Sequence, residues 1–475
     1  MIIGREIEQK RILEAVNSAK SEFVAIYGRR RVGKTYLIKE VFSGKYTFQH
    51  TGLAKASRRE QLKEFAASVA KYSRAKVSVP RDWYEAFHLL EAYLEGATDA
   101  RKVIFLDELP WMDTPKSGFI SALEHFWNGW ASLRDDILLI VCGSATSWII
   151  NKIIEDYGGL HNRVTKRIHL RPFTLHECEK YARSRGIVLR RAELLEYYMI
   201  AGGVPYYWEQ LEKGESLAQN IDRIFFSESG ELRGEFNRLY ASLFRKPQDY
   251  IAMVTALGTK KVGMTRKELA RFAHVPENGK LSERLSDLEQ CGFIRRYSMP
   301  GKSIQDSLYQ LVDNFTLFHF KFLANLSESE PAAGYWRSVA NSQTVRIWCG
   351  LAFERVCLQH VEQIKAALGI QGVATRVYAW RSSSVKPAVQ VDLVIDRDDK
   401  VVNLCEMKYT AGPCTITGEY EHELVEKVDA YVREVSNGKT VHLTLVSANG
   451  VRQTASAACL QRDLTASVLF EANGL

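Results

Sequence analysis

The spacing of apolar residues switches between two periods in the first third of the chain. Three uninterrupted apolar runs stand out, at 23–26 (FVAI), 103–106 (VIFL) and 137–142 (ILLIVC). Short runs without alternation predict strands buried on both faces, as a parallel sheet requires. Between them lie helical periods. Residues 6–19 carry Ile7, Ile12, Leu13 and Val16 along one side. Residues 57–72 carry Leu62, Phe65 and Val69, and residues 82–94 carry Phe87, Leu90 and Leu94. Two further strands are expected at 45–50 and 167–170. Strands alternating with helices predict an α/β fold.

The pattern changes after residue 172. Helices are expected at 175–185, 191–201 and 206–212, with Gly202 and Gly203 as a helix end and Pro205 as a helix start. Residues 250–257 form a short apolar helix, a capping box from Thr265 to Glu268 starts a second, and 281–291 form a third that stops at Gly292. Strands at 293–296 and 307–311 flank a polar loop with Pro300, Gly301 and Lys302. Three helices and a hairpin describe a winged helix. Residues 313–346 are aromatic-rich and read as a packed helical connector. A helix at 344–368 then precedes strands at 373–380, 389–395 and 401–408. The implied segments are 1–172, a sheet core; 173–246, a helical layer; 247–312, the winged helix; 313–344, the connector; and 345–475, a second α/β domain.

The chain has 475 residues, enough for several domains, with 46% hydrophobic and 25% charged residues, ordinary for globular protein. Its formal charge of +8 fits a nucleic-acid partner without demonstrating one. The eight cysteines include no C-x-x-C pair, so they read as reduced core residues of a cytoplasmic protein. No apolar stretch is long enough to span a bilayer, and the charged N-terminus does not read as a signal peptide.

Chemistry enters at Tyr27–Thr35, YGRRRVGKT. Gly28, four residues, then Gly33-Lys34-Thr35 spell the G-x-x-x-x-G-K-[ST] phosphate loop, between an expected strand and an expected helix. Gly28 and Gly33 let the backbone wrap a polyphosphate, so that the N–H groups of Gly28, Arg29, Arg30, Arg31, Val32, Gly33, Lys34, Thr35 and Tyr36 line the ligand. Lys34 suits the β- and γ-phosphates of ATP, and the Thr35 hydroxyl suits Mg²⁺. Asp107 and Glu108 end the second apolar run, where open α/β sheets place ligands. Asp107 suits Mg²⁺, and Glu108 suits polarising the attacking water. Trp111 reads as packing. Ser144, after the third run, suits either a γ-phosphate contact or a helix N-cap. Arg163 suits a transition-state arginine or an ordinary surface position. The Gly4-Arg5-Glu6 entry suits contact with the base or a plain turn.

YGRRRVGKT, VIFLDE, VCGSA, the Arg163 stretch, Leu170-Arg171-Pro172-Phe173 and Gly202-Gly203-Val204-Pro205 occur in matching order. Together they resemble the archaeal-type ATPases of the AAA+/STAND group over roughly the first half of the chain. The resemblance implies a P-loop ATPase core and a helical lid, with Pro205 in a Gly-Gly-x-Pro turn over the nucleotide. It also leaves room for a homo-oligomer, since AAA+ relatives often form rings, whereas STAND relatives are often monomeric until triggered.

A second set lies near the C-terminus. Asp392 sits inside the hydrophobic strand 389–395, where a lone charge is costly. Glu406 and Lys408 are two apart on the next strand and share a face. A hairpin would bring Asp392 beside them. Two carboxylates with no neutralising partner would need a hard cation, Mg²⁺ or Mn²⁺, and Lys408 could orient water or stabilise charge. Asp392, Glu406-x-Lys408 and Glu354 on the preceding helix resemble the PD-(D/E)xK restriction-endonuclease-like nucleases over about the last 130 residues. Ala388 or Val389 stands where some members carry proline. The resemblances imply an ATPase controlling a metal-dependent nuclease, with DNA as the favoured substrate, in genome defence or mobile-element biology. A second reading is an ATP-dependent switch that binds DNA or a protein partner and carries a non-cleaving nuclease-like fold. In the winged helix, Arg295, Arg296 and Lys302 supply positive charge, whereas Glu283, Asp287 and Glu289 oppose it on the third helix, so DNA contact and a purely structural role both remain open. A transporter ATPase finds no support in the sequence.

Overall fold

The computed structural model describes residues 2–155, 158–160, 162–244, 246–297, 307–326, 333–382, 389–435 and 438–472. Pro300, Gly301, Lys302 and Ala388, named above, lie outside these residues. The chain forms two compact units. One comprises Met1–Pro172 with Ala241–Arg245 and Ser286–Cys291; the other comprises Phe173–Tyr240, Lys246–Leu285 and Gly292–Leu475.

The first unit is built on a five-stranded parallel sheet of β1 (Glu22–Tyr27), β2 (Phe48–Thr51), β3 (Lys102–Asp107), β4 (Ile137–Gly143) and β5 (Lys166–His169), in the order β2-β3-β4-β1-β5. All seven residues of β4 and all six of β3 are buried, which is why their sequences show no alternation. Helices cover both faces. Phe23, Ile104, Leu106, Leu139 and Val141 pack with Phe65, Phe87 and Phe126 on one side, while Val24, Ile26, Phe105 and Ile140 pack with Ile12, Leu37 and Ile38 on the other. Two helix starts follow local chemistry. Ser57 and Glu60 close a capping box before Arg58–Ser73, and Asp82 caps Trp83–Gly96, each cap worth about 1 kcal/mol.

The first helix departs from expectation. It ends at Val16, not at 19, and Ile7 and Leu13 are exposed while Ile12 is buried. Its apolar stripe is therefore narrower than the periodicity suggested.

In the second unit, helices Leu175–Ser184, Arg191–Ala201 and Pro205–Glu209 come first, with Gly202 capping the second and Pro205 opening the third. A three-stranded antiparallel sheet follows, formed by β6 (Met264–Thr265), β7 (Ile294–Tyr297) and β8 (Leu308–Leu311) in the order β6-β8-β7. Helices Pro247–Gly258, Arg266–Phe272 and Gly279–Gln290 precede its hairpin, and Thr265 with Glu268 forms the expected capping box. The short strand β6 was not apparent from the sequence.

The C-terminal sheet runs β13-β12-β11-β10-β9, with β9 (Thr375–Arg381), β10 (Gln390–Arg397), β11 (Val401–Lys408), β12 (Thr440–Ser447) and β13 (Arg462–Thr465). Strands β9, β10 and β11 pair antiparallel, whereas β11, β12 and β13 pair parallel. The single helix expected at 344–368 is two, Gln343–Gln359 and Val361–Ala367. The break is at His360, whose ring bonds Val356 O through Nδ1 and accepts from Leu175 N through Nε2. A buried side chain with one partner 185 residues away overrides the local helical period.

Candidate functional site

The phosphate loop connects β1 to the helix Lys34–Val41. Gly28 has φ +148°, and a Cβ there would lie 2.2 Å from Leu170 O. Gly33 has φ +91°, and a Cβ there would meet nothing within 4 Å. The loop thus presses its first glycine against the neighbouring strand's exit and leaves open space over the second. Lys34 is buried, and its Nζ donates to Gly28 O at 2.8 Å and Arg29 O at 3.0 Å. The ammonium therefore satisfies the loop's own carbonyls. Arg29 and Val32 are buried, Arg30 and Tyr36 exposed, and Arg31 has φ +70°.

Thr35 Oγ1 donates to Asp107 Oδ2 at 2.8 Å. A hydroxyl and a carboxylate in contact, at a helix N-terminus, offer the oxygen donors that Mg²⁺ takes beside a triphosphate. Asp107 Oδ1 accepts from Glu108 N at 2.9 Å. Glu108 leaves β3 in the left-handed region, φ +48°, and its Oε2 accepts from Ser144 Oγ at 3.1 Å. Asp107, Glu108 and Ser144 are thus linked across the ends of the adjacent strands β3 and β4. Burial and then Asp107 push the Cys142 thiol well above its ordinary range, and the same two causes push the Tyr46 phenol up to about 12. His169 stacks on Tyr27 with ring centroids 4.9 Å apart. Burial, Arg171 and Lys34 lower His169 to about 4, so the ring is neutral beside the loop.

Gly4 and Arg5 both adopt positive φ. Arg5 is buried, with Nη2 3.5 Å from Val32 O, so the chain entry lies against the phosphate loop. Arg163 is exposed on the turn before β5, and among the described residues its guanidinium makes no hydrogen bond or ion pair. Pro205 belongs to the second unit, as the first residue of its helix.

In the second unit, Leu393 pairs with Cys405 across β10 and β11. The pairing ends there; Asp392 and Glu406 are the next residues along β10 and β11, and both are half-buried. Lys408 is exposed, with Nζ 4.5 Å from the centre of the Tyr420 ring. Glu354 lies half-buried on the helix Gln343–Gln359. Its carboxyl is pushed up by burial first and then by Asp392, with Lys261 opposing and Glu406 adding. The three carboxylates share one field.

The expectation that the two strand carboxylates lack a neutralising partner is corrected for Glu406, while Asp392 gains a neutral amide donor. Lys427 Nζ is 2.7 Å from Glu406 Oε2. Lys261 Nζ is 3.0 Å from Glu354 Oε2. Gln390 Nε2 donates to Asp392 Oδ1. Among the described residues, no group of three or more His, Cys, Asp or Glu side chains is arranged to hold a metal ion. Asp392 and Glu406 are each already engaged by a nitrogen. Lys427 was missed from the sequence. It lies three residues after buried Leu424 and four before buried Tyr431 on the helix Gly418–Glu434, and a charge on the buried side of an amphipathic helix was the available signal.

Among the described residues, no helix is long and apolar enough to cross a membrane. All eight cysteines are free, and seven are buried.

The chain is similar to several known proteins. The chain is 25% identical to an uncharacterized protein of Methanocaldococcus jannaschii over 419 residues, 86% of this chain and 88% of that one. Among solved structures, the Walker-type ATPase of Pyrococcus abyssi aligns at 18% identity over 66% of this chain and 95% of its own, with a TM-score of 0.49. The ORC2 protein of Aeropyrum pernix aligns at 14% identity over 66% and 90%, with a TM-score of 0.39. Residues 2–211 match the family described as an ATPase domain predominantly from Archaea. Over those residues the chain carries an archaeal-type ATPase domain.

Proposed function

We propose that the N-terminal domain binds and hydrolyses ATP with Mg²⁺, and that its nucleotide state controls a metal-dependent nuclease-like domain at the C-terminus acting on nucleic acid, DNA first. In the ATPase half, Lys34 turns from its own loop carbonyls to the β- and γ-phosphates. Thr35 and Asp107 hold Mg²⁺, Glu108 orients the attacking water, and Arg163 supplies transition-state charge. In the C-terminal half, Asp392 and Glu406 hold Mg²⁺ or Mn²⁺, which would supply Lewis-acid chemistry at a phosphodiester. Lys408 positions water or offsets developing charge, and Glu354 completes the acidic set. Residues 247–312 act as a winged helix.

What supports the nuclease half is that Asp392 and Glu406 adjoin the paired residues Leu393 and Cys405 of neighbouring strands, with Lys408 two residues along from Glu406. Plasmid nicking with Mg²⁺ and Mn²⁺ tests it. Nicking should disappear in Asp392→Ala and in Lys408→Ala while ATP hydrolysis continues. No nicking in any nucleotide state would remove the nuclease half.

A second reading is an ATP-dependent switch whose nuclease-like fold recognises DNA or a protein partner without cutting. The Lys427–Glu406 and Lys261–Glu354 ion pairs favour it, because carboxylates committed to lysines need no metal. A chain that binds DNA with Asp392→Ala and wild-type affinities equal, and never nicks, would select this reading.

A further inference from the structure

Gln61 is fully buried on the helix Arg58–Ser73, the helix that gives Leu62 and Phe65 to the sheet core. A buried amide is costly unless its groups are paired. Both of its N–H groups donate, to Leu53 O at 2.6 Å and to Trp111 O at 3.0 Å, and its Oε1 accepts from Leu53 N at 3.1 Å. Turning the amide over would set N–H against N–H and oxygen against two carbonyls, so its orientation is fixed. The two partners follow the ends of adjacent strands. Leu53 comes just after β2, and Trp111 closes the single turn that begins at Glu108, donating its N–H to Glu108 O at 3.0 Å. Between them, Gly52 N donates to Asp107 O at 3.0 Å, and a Cβ on Gly52 would lie 2.6 Å from Glu108 O. The same turn is held from the side of β4. Trp148 Nε1 donates to Asp113 Oδ2 at 3.1 Å, and a Cβ on Gly143 would lie 2.7 Å from Pro110 Cδ.

We propose that Gln61 is a positioning residue for ATP hydrolysis: its amide ties the turn after β3 to the turn after β2, and so holds Glu108 where it orients the attacking water. This role rests on reading Glu108 as the residue that orients water. Glu108 needs such support. Its φ of +48° is one that a residue with a side chain keeps only where its surroundings over-determine it. Ser144 fixes the carboxylate, whereas Gln61 fixes the backbone from the far end of the turn. An uncharged amide supplies two donors and an acceptor at once, which is what two carbonyls and one N–H require. All three bonds go to main-chain atoms of Leu53 and Trp111, outside the phosphate loop. Losing them should therefore displace Glu108 and spare nucleotide binding.

The test is steady-state ATPase kinetics on the full chain with Mg²⁺, with affinity for a fluorescent ATP analogue measured alongside. Gln61→Met keeps the length of the side chain and removes both donors. It should lower kcat about tenfold, with KM and analogue affinity unchanged, since small displacements of a catalytic group are costly. Glu108→Gln should itself lower kcat. Adding Gln61→Met to Glu108→Gln should lower kcat no further, because Gln61 acts through Glu108. Gln61→Glu has the shape of the parent side chain and cannot serve both carbonyls, so it should lose kcat in the same direction. It decides the matter if thermal melting shows Gln61→Met to be unfolded. A Gln61 that only stabilises the fold would lower the melting temperature and leave kcat per bound nucleotide as in wild type. That result would overturn the positioning role, and so would losses that multiply when Gln61→Met and Glu108→Gln are combined, while the reading of Glu108 would stand in both cases. Wild-type kcat in Glu108→Gln would overturn the reading of Glu108 and the role of Gln61 with it.

Discussion

Ser144 holds Glu108: its hydroxyl donates to Oε2 at 3.1 Å across the ends of β4 and β3. The contact gives Ser144 a partner other than a γ-phosphate. A Ser144 that positions Glu108 should affect turnover more than nucleotide affinity. Glu108→Gln should keep ATP affinity and lower kcat about a hundredfold. Ser144→Ala should lower kcat about tenfold with KM little changed, whereas loss of a direct phosphate contact would raise KM. Steady-state ATPase kinetics on both variants separate the two.

Gly28 is fixed by sterics as much as by ligand. A Cβ at 2.2 Å from Leu170 O demands backbone movement, because the atom met is main chain. Gly28→Ala should destabilise the chain by about 2 kcal/mol or more and weaken ATP binding. Gly33→Ala, with space around it but φ +91°, should cost about 1–2 kcal/mol. Urea unfolding of the two variants measures the difference.

Acid should destabilise the sheet core through His50. Its Nδ1 is 2.9 Å from Ser68 Oγ, which itself donates to Glu64 O, so Nδ1 carries the proton. Nε2 is buried and has no hydrogen-bond partner among the described residues. Burial lowers this histidine from 6.5 to about 4. The unfolded chain binds the proton first, so His50 contributes stability above pH 6.5 that is lost as pH falls toward 4. At about 1.4 kcal/mol per pH unit, the loss reaches about 3 kcal/mol. Unfolding midpoints between pH 7.5 and 4.5 should fall less steeply in His50→Gln than in wild type.

Lys427 and Glu406 should behave as a coupled pair. Lys427→Met strands a half-buried carboxylate and should cost about 1–3 kcal/mol. Glu406→Gln in the same chain should recover part of that loss. A double-mutant cycle by chemical denaturation gives the coupling, and independent effects would show that the 2.7 Å contact contributes nothing.

The parts of the molecule legible in the sequence are those whose signals are local. The strand at 23–26, the glycines around it and the Asp107-Glu108 end of the next strand can be read from neighbours alone. The capping box at Thr265 is equally local. What escaped is set by distant partners. His360 interrupts a helix because it serves Leu175 N, 185 residues away in the chain. Lys261 resembles any surface lysine until its partner 93 residues on is known. Strand β12 pairs parallel to β11 and β13 parallel to β12, and such pairing leaves no hairpin signal between them.

Glu108 stands in a conformation that glycine accepts freely and other residues adopt at a cost of about 1–2 kcal/mol. Glu108→Gly would relieve that cost while deleting the carboxylate. The most relaxed chain at this position is therefore expected to be the most inert one, folding as well as its parent or better and turning over nothing. Selection for heat tolerance alone would drift toward that silent form, and only selection for turnover would hold the acid in its uncomfortable place.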